Sequence, residues 1–144
     1  MQLKDVKLIE ETVPEDVKQV LRMGPNILTE ENLARILSTE TTKLNLENNY
    51  HISNGFIGKI GNVAPNIENL CLRRMPNIGN DVFSRLFTTF ENLVTVDLSD
   101  CTGLEPFGLQ LMLKKNQQLE NLQLSGCSDA VDDVALNMIS NLEN

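Results

Sequence analysis

The feature that most constrains this chain is a period of 26 residues. Written in successive lengths of 26 from Thr41, it gives four units, 41–66, 67–92, 93–118 and 119–144, that align without a gap. The fourth column reads Leu44, Leu70, Val96, Leu122, and the sixth Leu46, Leu72, Leu98, Leu124. The ninth reads Asn49, Met75, Cys101, Cys127, the twelfth Ile52, Ile78, Leu104, Ala130, and the twentieth Ile60, Leu86, Met112, Met138. Every unit closes on an amide, at Asn66, Asn92, Gln118 and Asn144. A register kept over so many columns is the signature of stacked supersecondary units. It also explains a composition with 22 Leu and 17 Asn but no Trp.

Each unit carries two periodicities. Its opening, as in Leu119 to Leu124, alternates apolar and polar residues and predicts a short strand whose inward side chains are columns four and six. Its second half, as in Val134, Ala135, Met138, Ile139 and Leu142, spaces apolar residues by three and four, predicting one face of a helix. The turn between them carries Asn54, Asn80 or Asp132, short polar residues suited to capping the helix that follows. A strand and a helix this small cannot bury their apolar faces alone, whereas stacked parallel copies can. The expected fold is therefore α/β: a solenoid with a curved parallel sheet on its concave side and helices on its convex side, because helices are wider than the strand spacing of about 4.8 Å.

The pattern Leu-x-x-Leu-x-Leu-x-x-Cys from Leu119 to Cys127, and its variant from Leu93 to Cys101, resemble cysteine-containing leucine-rich repeats. This subtype is typical of F-box/leucine-rich-repeat proteins and their short relatives, and the likeness covers 41–144. Units one and two depart from it, with Asn49 and Met75 in the cysteine column. The resemblance implies a substrate-recognition part of an F-box-type ubiquitin-ligase receptor. A short assembly factor of a large complex is another implied role, although no basic amphipathic presequence accompanies it.

Residues 1–40 fit the period less well and are expected to form a helical cap and a degenerate repeat. Ile27 to Leu37 predicts the turn and helix of a preceding unit, with Thr29 as its N-cap. Val17 and Val20 would then lie in the strand of that unit or its substitute. The acidic stretch from Lys4 to Val20 supplies the polar outer face that a terminal unit needs. Val13-Pro14-Glu15-Asp16-Val17 is faintly similar to the opening of an F-box, but a three-helix F-box is longer than the segment available. At the other end Asn144 closes its unit without a polar cap. That leaves three expectations: a fragment of a longer repeat protein, association through the last apolar flank with a second copy or another protein, or an exposed edge that is simply tolerated, the first two being favoured because long exposed edges invite association.

With 12 basic against 20 acidic residues the net charge is −8. An acidic chain of this kind is not expected to bind nucleic acid or an anionic membrane, both of which need clustered Lys and Arg. The N-terminus becomes charged too early for a signal peptide, so the expected compartment is cytoplasmic or nuclear.

Cys101 and Cys127 share a column and are expected to stack as small buried thiols; their spacing would allow a disulfide, which a reducing compartment opposes. Cys71 falls in column five, on the polar face of the sheet, beside Arg73. The single histidine, His51, stands next to Tyr50 without a nucleophile in motif context, and there is no Cys-x-x-Cys, His-Glu-x-x-His or phosphate loop. Asp129, Asp132 and Asp133 lack the order of a calcium loop, and the latter two suit the positive end of the last helix. Gly55, Gly58 and Gly61 recur on the helix of unit one, permitting close packing or weakening it by roughly 1 kcal/mol each. No catalytic residue, cofactor site or metal site is expected, and the chain is not expected to be an enzyme.

The remaining surface is the concave sheet face. Its partner-binding candidates are Asn45, Glu47, Asn69, Cys71, Arg73, Arg74, Asp97, Asp100 and Gln123, an amide-rich set with nearly balanced charge. A rigid array of donors and acceptors suits a protein partner. Arg73 and Arg74 are the expected anchors, because a guanidinium engages carboxylates bidentately. The stacking also sets Arg73 beside Glu47 and Arg74 beside Asp100, so the same charges are expected to be able to satisfy one another for under about 1 kcal/mol each.

Overall fold

The computed structural model describes residues 29–142. The readings made above for Lys4 to Val20, for Val13 to Val17 and for Asn144 lie outside the described residues. Within them the chain alternates helix and strand: α1 (Glu30–Ile36), β1 (Lys43–Asn45), α2 (Asn54–Ile57), α3 (Ile60–Val63), β2 (Asn69–Cys71), α4 (Asn80–Thr89), β3 (Thr95–Asp97), α5 (Pro106–Lys115), β4 (Asn121–Gln123), a 3-10 turn (Ser128–Ala130) and α6 (Asp133–Ser140).

The four strands form one parallel sheet in chain order, and their register equals the sequence period. Lys43 lies opposite Asn69, Asn69 opposite Thr95 and Thr95 opposite Asn121, an advance of 26 residues at each step. The ladder continues past the short strands. The N–H groups of Leu46, Leu72 and Leu98 donate to the carbonyls of Cys71, Asp97 and Gln123, each at 2.9 Å. Two residues further on, Asn48, Arg74 and Asp100 donate to Arg73, Ser99 and Ser125. Identical backbone bonds in each interval make the period a physical spacing rule, since every coil must return its polar groups to the same height to satisfy the next.

The apolar columns line the interior. Leu46, Leu72 and Leu98 are fully buried with Leu44, Leu70 and Val96 beside them, while Leu124 and Leu122 in the last coil are only partly covered. Phe83 and Phe87 of α4 stack with ring centroids 5.9 Å apart and, with Phe90, are the largest side chains fully enclosed in the core. Helices α4, α5 and α6 pack in sequence order, each against the next.

The capping positions differ from expectation in two units. Thr29 accepts from the Asn32 N–H at 3.1 Å and Asp132 from the Ala135 N–H at 2.8 Å, as their sequence positions imply. Asn54 and Asn80, in contrast, are the first helical residues; the N-caps are Ser53, which accepts from Phe56, and Gly79, which has no side-chain oxygen to offer. The two asparagines instead tie neighbouring coils together. Asn54 donates to the Asn77 carbonyl at 2.9 Å, and Asn80 accepts from the Glu105 N–H at 3.1 Å.

Unit one departs again in its helix. Where α4 and α5 run for ten residues, unit one has two short pieces, α2 and α3, parted at Gly58 and Lys59. Gly58 marks the break, and Gly61 lies so close to α4 that a Cβ there would fall 2.7 Å from the Cβ of Thr89.

Column nine explains its preference for cysteine. The Cys101 thiol donates to the Leu72 carbonyl, and the Cys127 thiol to the Leu98 carbonyl, each at 2.9 Å. Both cysteines are buried and free of disulfide. Burial pushes the Cys101 thiol up to about 12 and raises that of Cys127, keeping both protonated as donors.

Candidate binding face

The polar columns of the strands and of the residues just after them make one continuous face that is most open in the last coil, although Ser99 in the third is buried. Asn45 and Glu47 in the first coil are buried, Asn69, Cys71, Arg73 and Asp97 are half-buried, and Gln123, Ser125 and Gly126 in the last are open. This corrects the sequence reading for Asn45 and Glu47, which are almost wholly covered. A shallow depression crosses the sheet, lined by Asn45, Asn69, Cys71, Thr95, Asp97 and Gln123.

Local backbone chemistry claims part of this face. The side chain of Asn45 accepts from the Glu47 N–H at 3.0 Å and that of Asp97 from the Ser99 N–H at 2.9 Å. Both are Asx turns that close the end of a strand, so each residue offers a partner only what remains after that bond. The next position turns the chain out of the sheet in the left-handed region, with φ of 64° at Asn48, 58° at Arg74, 61° at Asp100 and 78° at Gly126. Asn, Asp and Gly tolerate this conformation, and Arg does so at some cost. That trio in column eight was a legible signal of the turn. Its consequence is that Arg74 and Asp100 project from the rim of the sheet.

The two arginines divide between structure and surface. Arg74 Nε stands 3.8 Å from Asp100 Oδ2 with both side chains about half exposed, a pairing worth under about 1 kcal/mol. Arg73 Nε is 3.7 Å from Glu47 Oε1, and here the carboxylate is 5% exposed. The contact is too long for a hydrogen bond, and Arg73 Nε is itself buried without one. Stripping the cation from a carboxylate so sheltered is costly, because the charge left behind cannot recover its hydration. Arg73 is thus tied to the fold, whereas Arg74 is free to exchange Asp100 for another carboxylate.

One buried polar group escaped the sequence reading. Asn116 is fully enclosed; its Oδ1 accepts from the Leu93 N–H at 2.9 Å, and its Nδ2 donates to the carbonyls of Phe90 at 3.0 Å and Met112 at 2.9 Å. It occupies a column otherwise filled by Ala64, Phe90 and Leu142, and that mismatch was the available signal. Asn116 joins the end of α5 to the entry of β3 in the coil before and so holds the sheet face in register. Exposed His51 lies near Glu30, whose carboxyl is held below its ordinary range chiefly by the Ser53 hydroxyl and backbone N–H, the latter at 2.6 Å. Among the described residues no three His, Cys, Asp or Glu side chains converge to hold a metal ion, and no helix is long and apolar enough to cross a membrane.

This arrangement is a leucine-rich-repeat-like fold, and solved structures share it. A chain of the crystal structure of the yeast Rad7 and Elc1 complex is similar over 81% of the present chain, with a TM-score of 0.62 and 17% identity. The present chain spans 31% of that one. The tropomodulin C-terminal domain of Caenorhabditis elegans is similar over 77% of the chain and 72% of its own length, with a TM-score of 0.57 and 19% identity. Identities this low speak to the fold alone. No family model matches the sequence, and no curated protein does.

Proposed function

We propose that the chain is a non-catalytic protein-interaction scaffold: four leucine-rich repeats forming a short solenoid whose concave sheet face binds a protein partner. The observation that carries this reading is the fixed ladder beneath that face. Polar side chains of four coils are displayed on a backbone whose hydrogen bonds repeat from coil to coil, so little conformational entropy remains to be lost on binding. Arg74, Asp100 and Gln123 are the exposed contacts, with Asn69, Cys71 and Asp97 completing the central strip. The similar chain from the Rad7 and Elc1 structure comes from a complex of two proteins, which fits such a role.

The cysteine column favours a second, narrower reading: the substrate-recognition part of an F-box-type ubiquitin-ligase receptor. Its thiols are built into the coil junctions, as the resemblance to cysteine-containing repeats implies. Free thiols also suit a cytoplasmic or nuclear location.

Affinity purification with mass spectrometry identifies the partner, and charge reversal then locates it. Arg74→Glu is expected to weaken capture of that partner by about tenfold or more, the loss typical of an anchor residue, while thermal unfolding is nearly unchanged. Arg73→Glu is unsuitable because it sets a second carboxylate against the sheltered Glu47. Undiminished capture by Arg74→Glu and by a Gln123→Lys variant would remove the sheet face from consideration. Co-purifying ligase subunits would select the narrower reading.

A further inference from the structure

The outer surface of α5 breaks the repeat pattern in a way the interior does not require. Column fifteen, just after the helix cap, is Gly55, Asp81 and Asp133 in three units but Phe107 in the third. Column nineteen is Lys59, Arg85 and Asn137 in three units but Leu111 in the third. These two substitutions lie four residues apart, hence on one face of the helix. Phe107 is 65% exposed, the most exposed of the large apolar side chains among the described residues. It borders a groove between α5 and α6 with Leu111, Gln110, Lys114 and Met138.

The groove is preformed. Gln110 donates through Nε2 to both carboxylate oxygens of Asp132, at 3.1 and 3.2 Å, and Asp132 in turn caps α6. That network ties α5 to the N-terminal cap of α6 beside the groove. Lys114 stands at its far end, exposed; its neighbour Lys115 is engaged with the Thr88 carbonyl and Glu91. An exposed cation at one end of an apolar slot defines what is complementary there: an apolar side chain followed, about one helical turn or 5 Å along, by a carboxylate.

We propose that the α5–α6 groove is a second docking site, occupied by an acidic amphipathic helix of another protein. Its apolar anchor packs between Phe107, Leu111 and Met138, and its Asp or Glu, three or four residues away, pairs with Lys114. Helix-in-groove binding reads anchors at this spacing, and the shape of the slot comes from helices already in place. The site is on the helical side of the fold and stands independently of the sheet face.

The test uses a displayed library of amphipathic helices about four turns long, selected on the wild-type chain and counter-selected on Phe107→Asp. That variant restores the residue found in two other units and adds a carboxylate to the first turn of α5, so it is expected to fold at least as stably as the wild type. Enriched helices should carry a large apolar residue with Asp or Glu three or four positions away, and should lose about tenfold or more in affinity for Phe107→Asp. Lys114→Glu should weaken them severalfold, and changing the peptide carboxylate to Lys should restore binding to Lys114→Glu alone. The proposal is overturned if no helix distinguishes wild type from Phe107→Asp, or if the selected helices are indifferent to the Lys114 charge. It is equally overturned if Phe107 drives self-association in sedimentation equilibrium, or adsorption to phosphatidylcholine or phosphatidylserine vesicles.

Discussion

Asn116 gives the sharpest test of how the coils are held in register. Replacing it with Ala removes the only hydrogen-bond partners, among the described residues, of two buried groups, the Leu93 N–H and the Phe90 carbonyl. The Met112 carbonyl keeps its bond from the Asn116 backbone N–H, so it is not orphaned. Each stranded group costs roughly 1–3 kcal/mol, so Asn116→Ala should lose about 3–4 kcal/mol. That is a large part of the roughly 5–15 kcal/mol available to a domain, and corresponds to a fall in Tm of roughly 10 °C. Asn116→Leu places an aliphatic side chain, as Leu142 does in the next unit, and leaves the same two groups stranded; it should therefore remain destabilised by more than about 2 kcal/mol. Urea unfolding followed by circular dichroism measures both, and amide exchange at Leu93 should quicken in each variant. A Leu variant as stable as the wild type would refute the reasoning, since filling the space would then suffice without the hydrogen bonds.

Other perturbations follow from particular contacts. Gly61→Ala should lower Tm although Ala is the better helix former by about 1 kcal/mol, because the new methyl meets Thr89, and Thr89→Gly should relieve the loss in a double-variant thermal melt. In native protein a thiol reagent should modify Cys71 alone, while Cys101 and Cys127 react only after unfolding; early modification of either buried thiol would contradict the ladder of column nine. Because burial lifts the Cys101 thiol from 9.0 to about 12, the unfolded chain loses that proton first, so stability should be intact below pH 9 and decline as pH rises towards 12. The sign is opposite at Glu30. Its carboxyl is held below 4.5 by Ser53, so its contribution is present above that value and is lost as pH falls through the lowered one; Glu30→Gln should flatten this part of the acid unfolding profile.

Much of the sheet was legible because parallel stacking imposes equality between coils. Leu44, Leu70, Val96 and Leu122 share a column in the sequence for the same reason that they share a register in the sheet. The caps at Thr29 and Asp132 were legible too, since an N-cap depends on a few consecutive residues. Asn54 and Asn80 were misassigned by one position, because their side chains serve the neighbouring coil and local pattern does not report such bonds.

The 26-residue period by itself determined the α/β class, the strand order and the interior columns, because backbone hydrogen bonding between identical coils leaves one parallel arrangement that satisfies them all. Only the tertiary structure decided which members of the polar face are usable. A repeat alignment reads Asn45 identically to Gln123 and Glu47 identically to Ser125, yet the first of each pair is enclosed and the second is open. A periodic sequence specifies equal positions within each coil, whereas burial depends on where the coil stands in the stack. The same distinction separates Arg73, bound to a sheltered carboxylate, from Arg74, which the left-handed turn sends out to solvent.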